Sequence, residues 1–339
     1  MKADTNKTFI IAEVGVNHNG SLKKALKLID VAVTAGANAI KFQTFKAENL
    51  ATDYAQKAEY QKYKSLKKET QFKMLKKLEF TEAMHNACFK KCKKKKIIFI
   101  SSAFDIESLY YLKKFKLNYF KVPSGEITNI PYLENLGKFR KKIILSTGMS
   151  SISEIEKALE TLITNGTKKK NIILMQCTSA YPAPYNEINL NTIPTLRNKF
   201  KLNVGFSDHS LGVQASVAAI ALGAKVIEKH LTLSKKLRGP DHRASLDPKE
   251  FKFMVESIRI VEKTLGDKIK KVTKSEKENI KIVRKSIVAR KNIKKGDKFS
   301  KDNVTTKRPQ GGISSLYWNK VIGKIAKKKF KYNEFITLK

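Results

Sequence analysis

Cysteine is scarce in this chain, which limits the compartments and folds that it fits. The three cysteines, Cys88, Cys92 and Cys177, are an odd number without the spacing of a disulfide framework. Cys88 and Cys92 are one helical turn apart, but no second pair accompanies them, so we interpret them as ordinary thiols rather than a redox or metal site. This usage predicts a cytoplasmic protein.

Long apolar runs are also missing. No run approaches the ~20 apolar residues that a membrane-spanning helix needs. The first apolar run, which begins near Phe9, is interrupted by Glu13 and is too short for a signal peptide. We therefore expect a soluble protein that has no membrane partner.

Acidic residues are few compared with basic ones. The 30 Asp and Glu stand against 69 Lys and Arg, which gives a formal net charge of +39. Such an excess favours anionic partners, either nucleic acid or a small phosphorylated substrate. Only 8 of the basic residues are arginine, and the lysines are spread along the chain rather than interleaved with aromatics in one tract. We interpret the charge as a lysine-biased composition and expect no nucleic-acid partner.

Short apolar runs rich in β-branched residues alternate with segments of helical periodicity. The runs predicted as strands are 8–14, 38–44, 97–102, 118–124, 142–147, 171–178, 203–209 and 225–230. Helical periodicity is clearest at 21–35, 152–163, 213–222 and 248–265. The alternation predicts parallel βα units, and eight units suit an α/β fold of the (β/α)₈ TIM-barrel type, with a doubly wound sheet as the alternative.

The predicted domains are a TIM barrel at 1–268, a charged linker at 269–283 and a small, mostly β domain at 284–339. The last region contains short strand-like runs separated by glycine-containing turns, such as those at Gly296 and at Gly311. Within the barrel, the connection 45–80 is unusually long and carries aromatics and lysines, so it is a candidate active-site flap.

Polar residues gather at the carboxyl ends of the predicted strands, whereas the opposite ends are mostly apolar. In TIM barrels the loops at the carboxyl ends surround one basin, which carries the chemistry. The polar strand-end residues are Glu13, Asn17, His18, Lys41, Gln43, Ser101, Ser102, Lys121, Ser124, Glu126, Ser146, Thr147, Gln176, Thr178, Tyr181, Ser207, Asp208, His209, Glu228 and His230. This gradient predicts the position of the active site.

The residue types at these strand ends indicate two kinds of ligand. Lys41 and Lys121, flanked by hydroxyls, suit a phosphate or carboxylate group. His209 and His230 follow adjacent strands and can hold one divalent metal, such as Mn²⁺, Zn²⁺ or Fe²⁺, with positions left open for substrate. Carboxylates are near them in the predicted barrel, at Glu13, Glu126 and Asp241.

Several motifs in this order resemble the bacterial sialic acid synthase family. They are AEVGVNHNG, KVPSGEITNIPYLE, ILSTGMSS, QCTSAYPAPYNEINL, GFSDHSLG, EKHLT, GPDH and KRPQGGIS. The resemblance covers nearly the whole chain and implies that 284–339 is a SAF (antifreeze-like) domain. Members of the family join phosphoenolpyruvate to a 2-acetamido-mannose-type sugar and release phosphate. The resemblance favours an N-acetylneuraminate synthase that uses N-acetylmannosamine. The alternative is a legionaminate or pseudaminate synthase that uses a 2,4-diacetamido-trideoxy-hexose.

The resemblance also implies roles for individual residues, with Mn²⁺ as the most frequent metal. Glu13, His209 and His230 match the catalytic positions, and the two histidines match the metal ligands. The phosphoenolpyruvate positions are matched by Lys41, Ser102, Lys121, Ser124, Ser179 and Ser207. The acceptor-sugar positions are matched by Glu126, Tyr181, Asp241 and Arg308. In the family this arginine reaches the barrel of a partner subunit, which implies a domain-swapped homodimer; Gln310 departs from the usual Arg-Pro-Gly-x-Gly motif.

Two other functions stay open on the residues alone. In a Schiff-base aldolase, Lys41 or Lys121 would be the nucleophile, and borohydride would trap it with pyruvate. In a non-enzymatic module, the basic chain would bind nucleic acid in a salt-sensitive manner and release no phosphate.

Overall fold

Eight parallel strands close into a barrel in the computed structural model, which describes residues 7–58, 61 and 69–339. The strands are β1 (Phe9–Gly15), β2 (Ala39–Thr44), β3 (Ile98–Ala103), β4 (Tyr119–Val122), β5 (Lys142–Ser146), β6 (Ile172–Cys177), β7 (Asn203–Asp208) and β8 (Val226–His230). They pair in chain order, and β8 pairs with β1. The predicted TIM barrel is confirmed, and the doubly wound alternative is excluded.

Helices follow the strands and cover the barrel. In the described part of this unit they are α1 (Leu22–Thr34), α2 (Ala47–Leu50), α3 (Gln71–Leu78), α4 (Glu82–Lys95), α5 (Ile106–Lys113), α6 (Ile130–Gly137), α7 (Ile152–Thr164), α8 (Thr192–Phe200), α9 (Gln214–Ala221) and α10 (Pro248–Thr264). Local sequence fixes several starts. The Ser21 side chain caps α1, and reciprocal capping boxes open α7 and α10.

The barrel interior is apolar at one end, which leaves the other end for polar groups. Ile11, Ile100, Ile144, Met175 and Val226 belong to the cluster that fills it. Gly205 on β7 keeps this packing possible, because a Cβ there would lie 2.5 Å from the Met175 sulfur and 2.6 Å from the Val226 carbonyl oxygen. A larger cluster lies between the strands and the helices, so both faces of the sheet are buried.

The chain divides into two compact units, Met1–Gly266 and Asp267–Lys339. The second unit begins with α11 (Lys274–Val283), which occupies the segment interpreted as a linker. Its antiparallel strands β9 (Ser286–Ala289) and β10 (Val304–Lys307) and the short helix α12 (Trp318–Val321) surround a separate core that includes Phe299 and Phe330. The predicted boundaries at 268 and 284 stay predictions. None of the described helices is long and apolar enough to cross a membrane.

Candidate active site

Strand register places the candidate side chains next to one another at the carboxyl end of the barrel. Glu13 on β1 is paired with Lys41 on one side and with His230 on the other. Ser207 on β7 is paired with Glu228 on β8. Paired residues of neighbouring strands point to the same face of a sheet, so these groups enter the barrel together.

The alternation of β7 and β8 sends the intervening residues outward. Asp208 and Lys229 form an ion pair of 2.9 Å between Oδ2 and Nζ, with both side chains fully buried behind the sheet. Ser210 and Ser216 each donate a hydroxyl hydrogen bond of 2.6 Å to Asp208, and Lys229 donates to the Ser210 carbonyl at 2.6 Å. This network fastens the two strands that carry the histidines, and it uses none of the inward-facing groups.

Four buried charges form the floor of the site. Lys41 Nζ lies 2.6 Å from Glu13 Oε2 and 3.6 Å from Glu228 Oε1. Lys121 Nζ lies 3.7 Å from the same Glu228 oxygen, to which the Ser207 hydroxyl donates at 3.1 Å. Glu228 is therefore the shared counter-ion of both lysines. Its place at a strand end is evident from the sequence, but this role is not.

The pKa values of the two carboxyl groups of the floor are shifted in opposite directions by burial and by these contacts. Burial raises the pKa of the Glu13 carboxyl to about 7, because the Lys41 ammonium offsets only part of the desolvation. Burial alone would raise the pKa of Glu228, but the ammonium groups of Lys121 and Lys41 lower it below its ordinary value. Glu228 is thus the permanent anion of the floor, whereas Glu13 is poised to gain or lose a proton near neutral pH.

The two lysines also differ from each other. Burial alone would lower the pKa of Lys41, but the carboxylates of Glu13 and Glu228 raise it above its ordinary value. Burial lowers the pKa of Lys121, and Glu228 opposes this only in part. A bound anion beside Lys121 would therefore stabilise its charged form.

Hydroxyl groups surround these ammonium groups. Lys121 donates to the Ser146 hydroxyl at 2.7 Å, and Lys41 donates to the Ser102 hydroxyl at 3.3 Å. The hydroxyls of Ser124 and Ser179 pack directly against Gly148. A Cβ at that glycine would lie 2.4 Å from Ser179 Oγ and 2.8 Å from Ser124 Oγ. A concave set of hydroxyls and ammonium groups suits a phosphate or carboxylate ligand.

His209 is held in one tautomer. Its Nδ1 lies 2.7 Å from the Thr178 carbonyl oxygen, which can only accept a hydrogen bond, so Nδ1 carries the proton and Nε2 has the lone pair; the Ser207 hydroxyl oxygen lies 3.4 Å from Nε2. His230 Nδ1 is buried without a hydrogen-bond partner and lies 3.8 Å from Asp241 Oδ2. The centroids of the two rings are 5.6 Å apart.

The histidine pair fits a divalent metal. Burial lowers the pKa of His209 to about 4 and that of His230 well below its ordinary value, so both imidazoles are neutral, as ligation requires. The buried Nδ1 of His230, which has no hydrogen-bond partner, is a second indication that the pair fits a metal. Among the described residues, no group of three or more His, Cys, Asp or Glu is arranged to hold a metal. Within the described part of the chain, the two histidines would therefore be the ligands, with the other positions open to water or substrate.

Asp241 is positioned by contacts between the loop after β1 and the loop after β8. Asn17 Nδ2 donates to the Leu231 carbonyl and to the Ser245 hydroxyl, each at 2.9 Å, and Ser245 donates to the Asp241 carbonyl at 2.6 Å. Asn19 Nδ2 donates to the Arg238 carbonyl at 2.8 Å. Burial raises the pKa of the Asp241 carboxyl to about 6. The asparagines of the NHNG motif thus have a positioning role that spacing alone did not reveal.

The groups line a cavity of about 430 Å³, within the range of small-molecule sites. Lining it are the predicted residues Glu13, Lys41, Lys121, Ser124, Ser179, Tyr181, Ser207, His209, His230 and Asp241. The Tyr181 ring lies over His209, with centroids 4.2 Å apart. The connection 45–80, predicted as a flap, contributes Phe45, Leu50, Ala58, Gln61, Gln71, Met74, Leu75 and Leu78 to the lining; residues 59, 60 and 62–68 lie outside the described residues.

Three predicted residues do not line the cavity. Of the described residues, Ser102 and Glu126 are not among those that line the cavity: Ser102 accepts from Lys41, and Glu126 accepts from Asn129 Nδ2 at 2.6 Å. Arg308 belongs to the second unit, where it is exposed and precedes Pro309. Gln43, which was given no role, lines the cavity and donates to Glu13 Oε1 at 3.2 Å.

Comparison with known proteins decides the family. The model of the NeuB family matches residues 28–270, and that of the SAF domain matches residues 284–339. The chain belongs to the NeuB family. It is 52% identical to the N,N'-diacetyllegionaminic acid synthase of Campylobacter jejuni, over 97% of this chain and 99% of that protein. It is 42% identical to the enzyme of the same name from Legionella pneumophila, over 93% and 89%.

A solved structure of the family has the same architecture. It is the crystal structure of N-acetylneuraminic acid (sialic acid) synthetase from Leptospira borgpetersenii in complex with citrate. Its TM-score is 0.71 at 36% identity, and the match covers 81% of this chain and 91% of that one. The predicted resemblance, including the SAF domain, is confirmed.

Membership of the NeuB family makes the chain a phosphoenolpyruvate-dependent transferase that forms a C–C bond. The Schiff-base aldolase and the non-enzymatic module are therefore set aside. The preferred product was wrong, however. We expected an N-acetylneuraminate synthase acting on N-acetylmannosamine, but the two relatives described above make N,N'-diacetyllegionaminic acid by name, which fits the alternative better.

Proposed function

We propose that this enzyme condenses phosphoenolpyruvate with 2,4-diacetamido-2,4,6-trideoxymannose to give N,N'-diacetyllegionaminate and phosphate. The observation that carries the proposal is the 52% identity to the Campylobacter synthase of that acid, over 97% of the chain. The cavity supports it, because anion-binding groups and a histidine pair lie in one basin of suitable volume.

Phosphoenolpyruvate occupies the side of the basin formed by the ends of β4 to β6. Its phosphate and carboxylate are bound by Lys121, Ser124 and Ser179, with Ser146 orienting the Lys121 ammonium at 2.7 Å. Lys41, oriented by Ser102 and paired with Glu13, lies beside the reacting carbons. Ser207 contributes its hydroxyl from β7 while it donates to Glu228.

The acceptor sugar lies beside the histidines. Tyr181 packs along the sugar, Asp241 accepts from a hydroxyl, and Glu126, which accepts from Asn129 through Oε2, is the third proposed contact. His209 and His230 hold a divalent cation, most simply Mn²⁺. When bound, the cation supplies Lewis acidity to the sugar carbonyl oxygen.

Condensation needs one C–C bond, one water and one C–O cleavage. The C2–C3 π electrons of phosphoenolpyruvate attack the aldehyde carbon, whose oxygen takes a proton from solvent and becomes a hydroxyl group. Water adds to the resulting cationic C2 and loses a proton to Glu13. Phosphate then departs with the electrons of its C–O bond and takes the proton that the C2 hydroxyl loses as C2 becomes a ketone. Glu13 suits the base role because its pKa of about 7 leaves a large carboxylate fraction at neutral pH.

The test is phosphate release from phosphoenolpyruvate in the presence of Mn²⁺, with N-acetylmannosamine and the 2,4-diacetamido-trideoxy sugar in parallel. We expect faster turnover of the diacetamido sugar. Enzyme stripped with a chelator is the control, and Mn²⁺ is expected to restore its activity. The proposal would be overturned by faster turnover of N-acetylmannosamine, or by the absence of phosphate release with both sugars.

A domain-swapped homodimer in the cytoplasm is the proposed assembly and location. In it, Arg308 of one subunit contacts the acetamido group of the sugar bound by the partner. We expect Arg308→Ala to raise the KM for the acceptor more than that for phosphoenolpyruvate, and sedimentation to give a dimer. Equal effects on both KM values, or a monomer at assay concentrations, would contradict this arrangement.

A further inference from the structure

The residues around the cavity divide into three sectors that follow the strand order. The ends of β4 to β6 supply the hydroxyls and Lys121, and the ends of β7 and β8 supply His209 and His230. Above Glu13 and Lys41, the sector of β1 to β3 is different, because apolar side chains dominate it. We call these the apolar wall: Val16, Phe45, Leu50, Met74, Leu75, Leu78 and Phe104.

The apolar wall is a packed unit rather than a set of isolated side chains. Val16, Phe45, Met74 and Leu78 are buried in one cluster, and Leu50, Leu75 and Phe104 pack against it. The Phe45 and Phe104 rings meet edge to face with centroids 6.2 Å apart. Helix α2 is joined to the end of α3 by a hydrogen bond of 3.0 Å from the Ala47 amide to Glu79. The apolar wall is therefore one continuous surface held by its own packing.

The sector order fixes which part of the acceptor meets this wall. Phosphoenolpyruvate occupies the sector formed by the ends of β4 to β6. The aldehyde carbon of the acceptor must then lie between phosphoenolpyruvate and the histidines. Among the sectors that the described residues form, that of β1 to β3 remains for the far end of the sugar. The side chains of the apolar wall offer no hydrogen-bonding group to a hydroxyl beyond weak thioether acceptance. The nearby lining amides of Gln71 and Gln61 are bonded to each other, with 3.2 Å between Nε2 and Oε1.

We propose that the apolar wall selects acceptors whose sixth carbon is a methyl group rather than a hydroxymethyl group. This specificity role rests on the proposed function, since it concerns the acceptor of that condensation. A methyl group packs against the wall, whereas a hydroxyl there loses its water without gaining a partner. Discrimination by an apolar surface against an added hydroxyl is about 10- to 100-fold in kcat/KM.

The most direct probe is a pair of sugars that differ in one atom: N-acetylmannosamine and its 6-deoxy analogue, 2-acetamido-2,6-dideoxymannose. With phosphoenolpyruvate and Mn²⁺, we expect the wild-type enzyme to prefer the deoxy sugar by about tenfold or more. Leu75→Gln places an amide on the wall at a partly buried position and should bring the ratio to within about threefold, mostly through the KM of the deoxy sugar. Leu50→Gln tests the other helix and covers the case in which Leu75→Gln does not fold.

The matched control is Lys73→Gln, which introduces the same side chain on an exposed position of α3 and should leave the ratio unchanged. A wild-type enzyme that does not discriminate would overturn the proposal, as would an unchanged ratio in both wall variants. Equal loss of turnover with both sugars would also count against it, because the wall would then only shape the site. Failure of the proposed function has a different signature, namely no preference for the diacetamido sugar whatever the 6-deoxy ratio is.

Discussion

Neutralising Glu228 is expected to destabilise the barrel more than any exposed charge change of the same kind. Glu228→Gln keeps the shape of the side chain and removes the anion that lies 3.6 Å from Lys41 and 3.7 Å from Lys121. At an effective dielectric constant near 20, each of these attractions is about 4–5 kcal/mol before compensation. Part of the loss is recovered because the Lys121 pKa, already lowered by burial, can fall further. Breaking a buried ion pair from one side typically costs about 3–5 kcal/mol.

The measurement is the free energy of unfolding of the barrel in urea, followed by far-ultraviolet circular dichroism. Trp318, the chain's single tryptophan, lies in the second unit, so its fluorescence reports on that unit instead. Glu156→Gln is the matched control. Its ion pair with Lys199 is shorter, at 2.8 Å, but both side chains are about half exposed, so we expect a change below about 1 kcal/mol.

A ligand effect provides an independent check. Phosphoenolpyruvate brings negative charge to the two lysines, so it should raise the melting temperature of Glu228→Gln more than that of the wild-type enzyme. A loss of stability below about 1 kcal/mol, equal to that of the exposed control, would refute the reasoning. So would an equal thermal shift by phosphoenolpyruvate in both proteins.

The remaining predictions concern two histidines with different surroundings. His230→Ala should abolish Mn²⁺-dependent phosphate release and weaken Mn²⁺ binding in calorimetry, with the melting temperature nearly unchanged; full activity would remove the metal role. His85 is buried between Thr44 and Thr81, and burial lowers its pKa to about 4. Its stability contribution is complete above the unfolded pKa of about 6.5 and is lost as the pH falls toward 4, by about 3 kcal/mol. The unfolding free energy of His85→Gln should therefore decrease less between pH 7 and pH 4 than that of the wild-type protein, and parallel pH profiles would contradict this.

The barrel and most of the basin could be predicted because β-branched runs alternate with helical segments along the sequence. A β-branched run that ends in polar residues, as at Ser207 or His230, predicts both the strand and the end at which chemistry occurs. The ladder then places Glu13 beside Lys41 without further information.

Partnerships between distant side chains could not be predicted in the same way. Glu228 and Glu126 are both acidic residues near strand ends, yet one pairs with two lysines and the other with Asn129. The choice depends on where neighbouring strands and helices place their donors, which no local pattern encodes. The proposed acceptor could not be predicted for a related reason, since the apolar wall is assembled from residues that follow β1, β2 and β3 and from two helices of one connection.

The outward ion pair of Asp208 and Lys229 has an evolutionary consequence. Because side chains alternate along a strand, inserting or deleting one residue would turn Asp208 of β7, or Lys229 of β8, into the basin and the neighbouring histidine into the helical layer. These strands can therefore accept substitutions but not changes of length. A fully buried ion of the pair cannot lose its partner cheaply, since a 2.9 Å contact would become an isolated charge. In descendants of this sequence, positions 208 and 229 should either persist as a pair or be replaced together by neutral side chains.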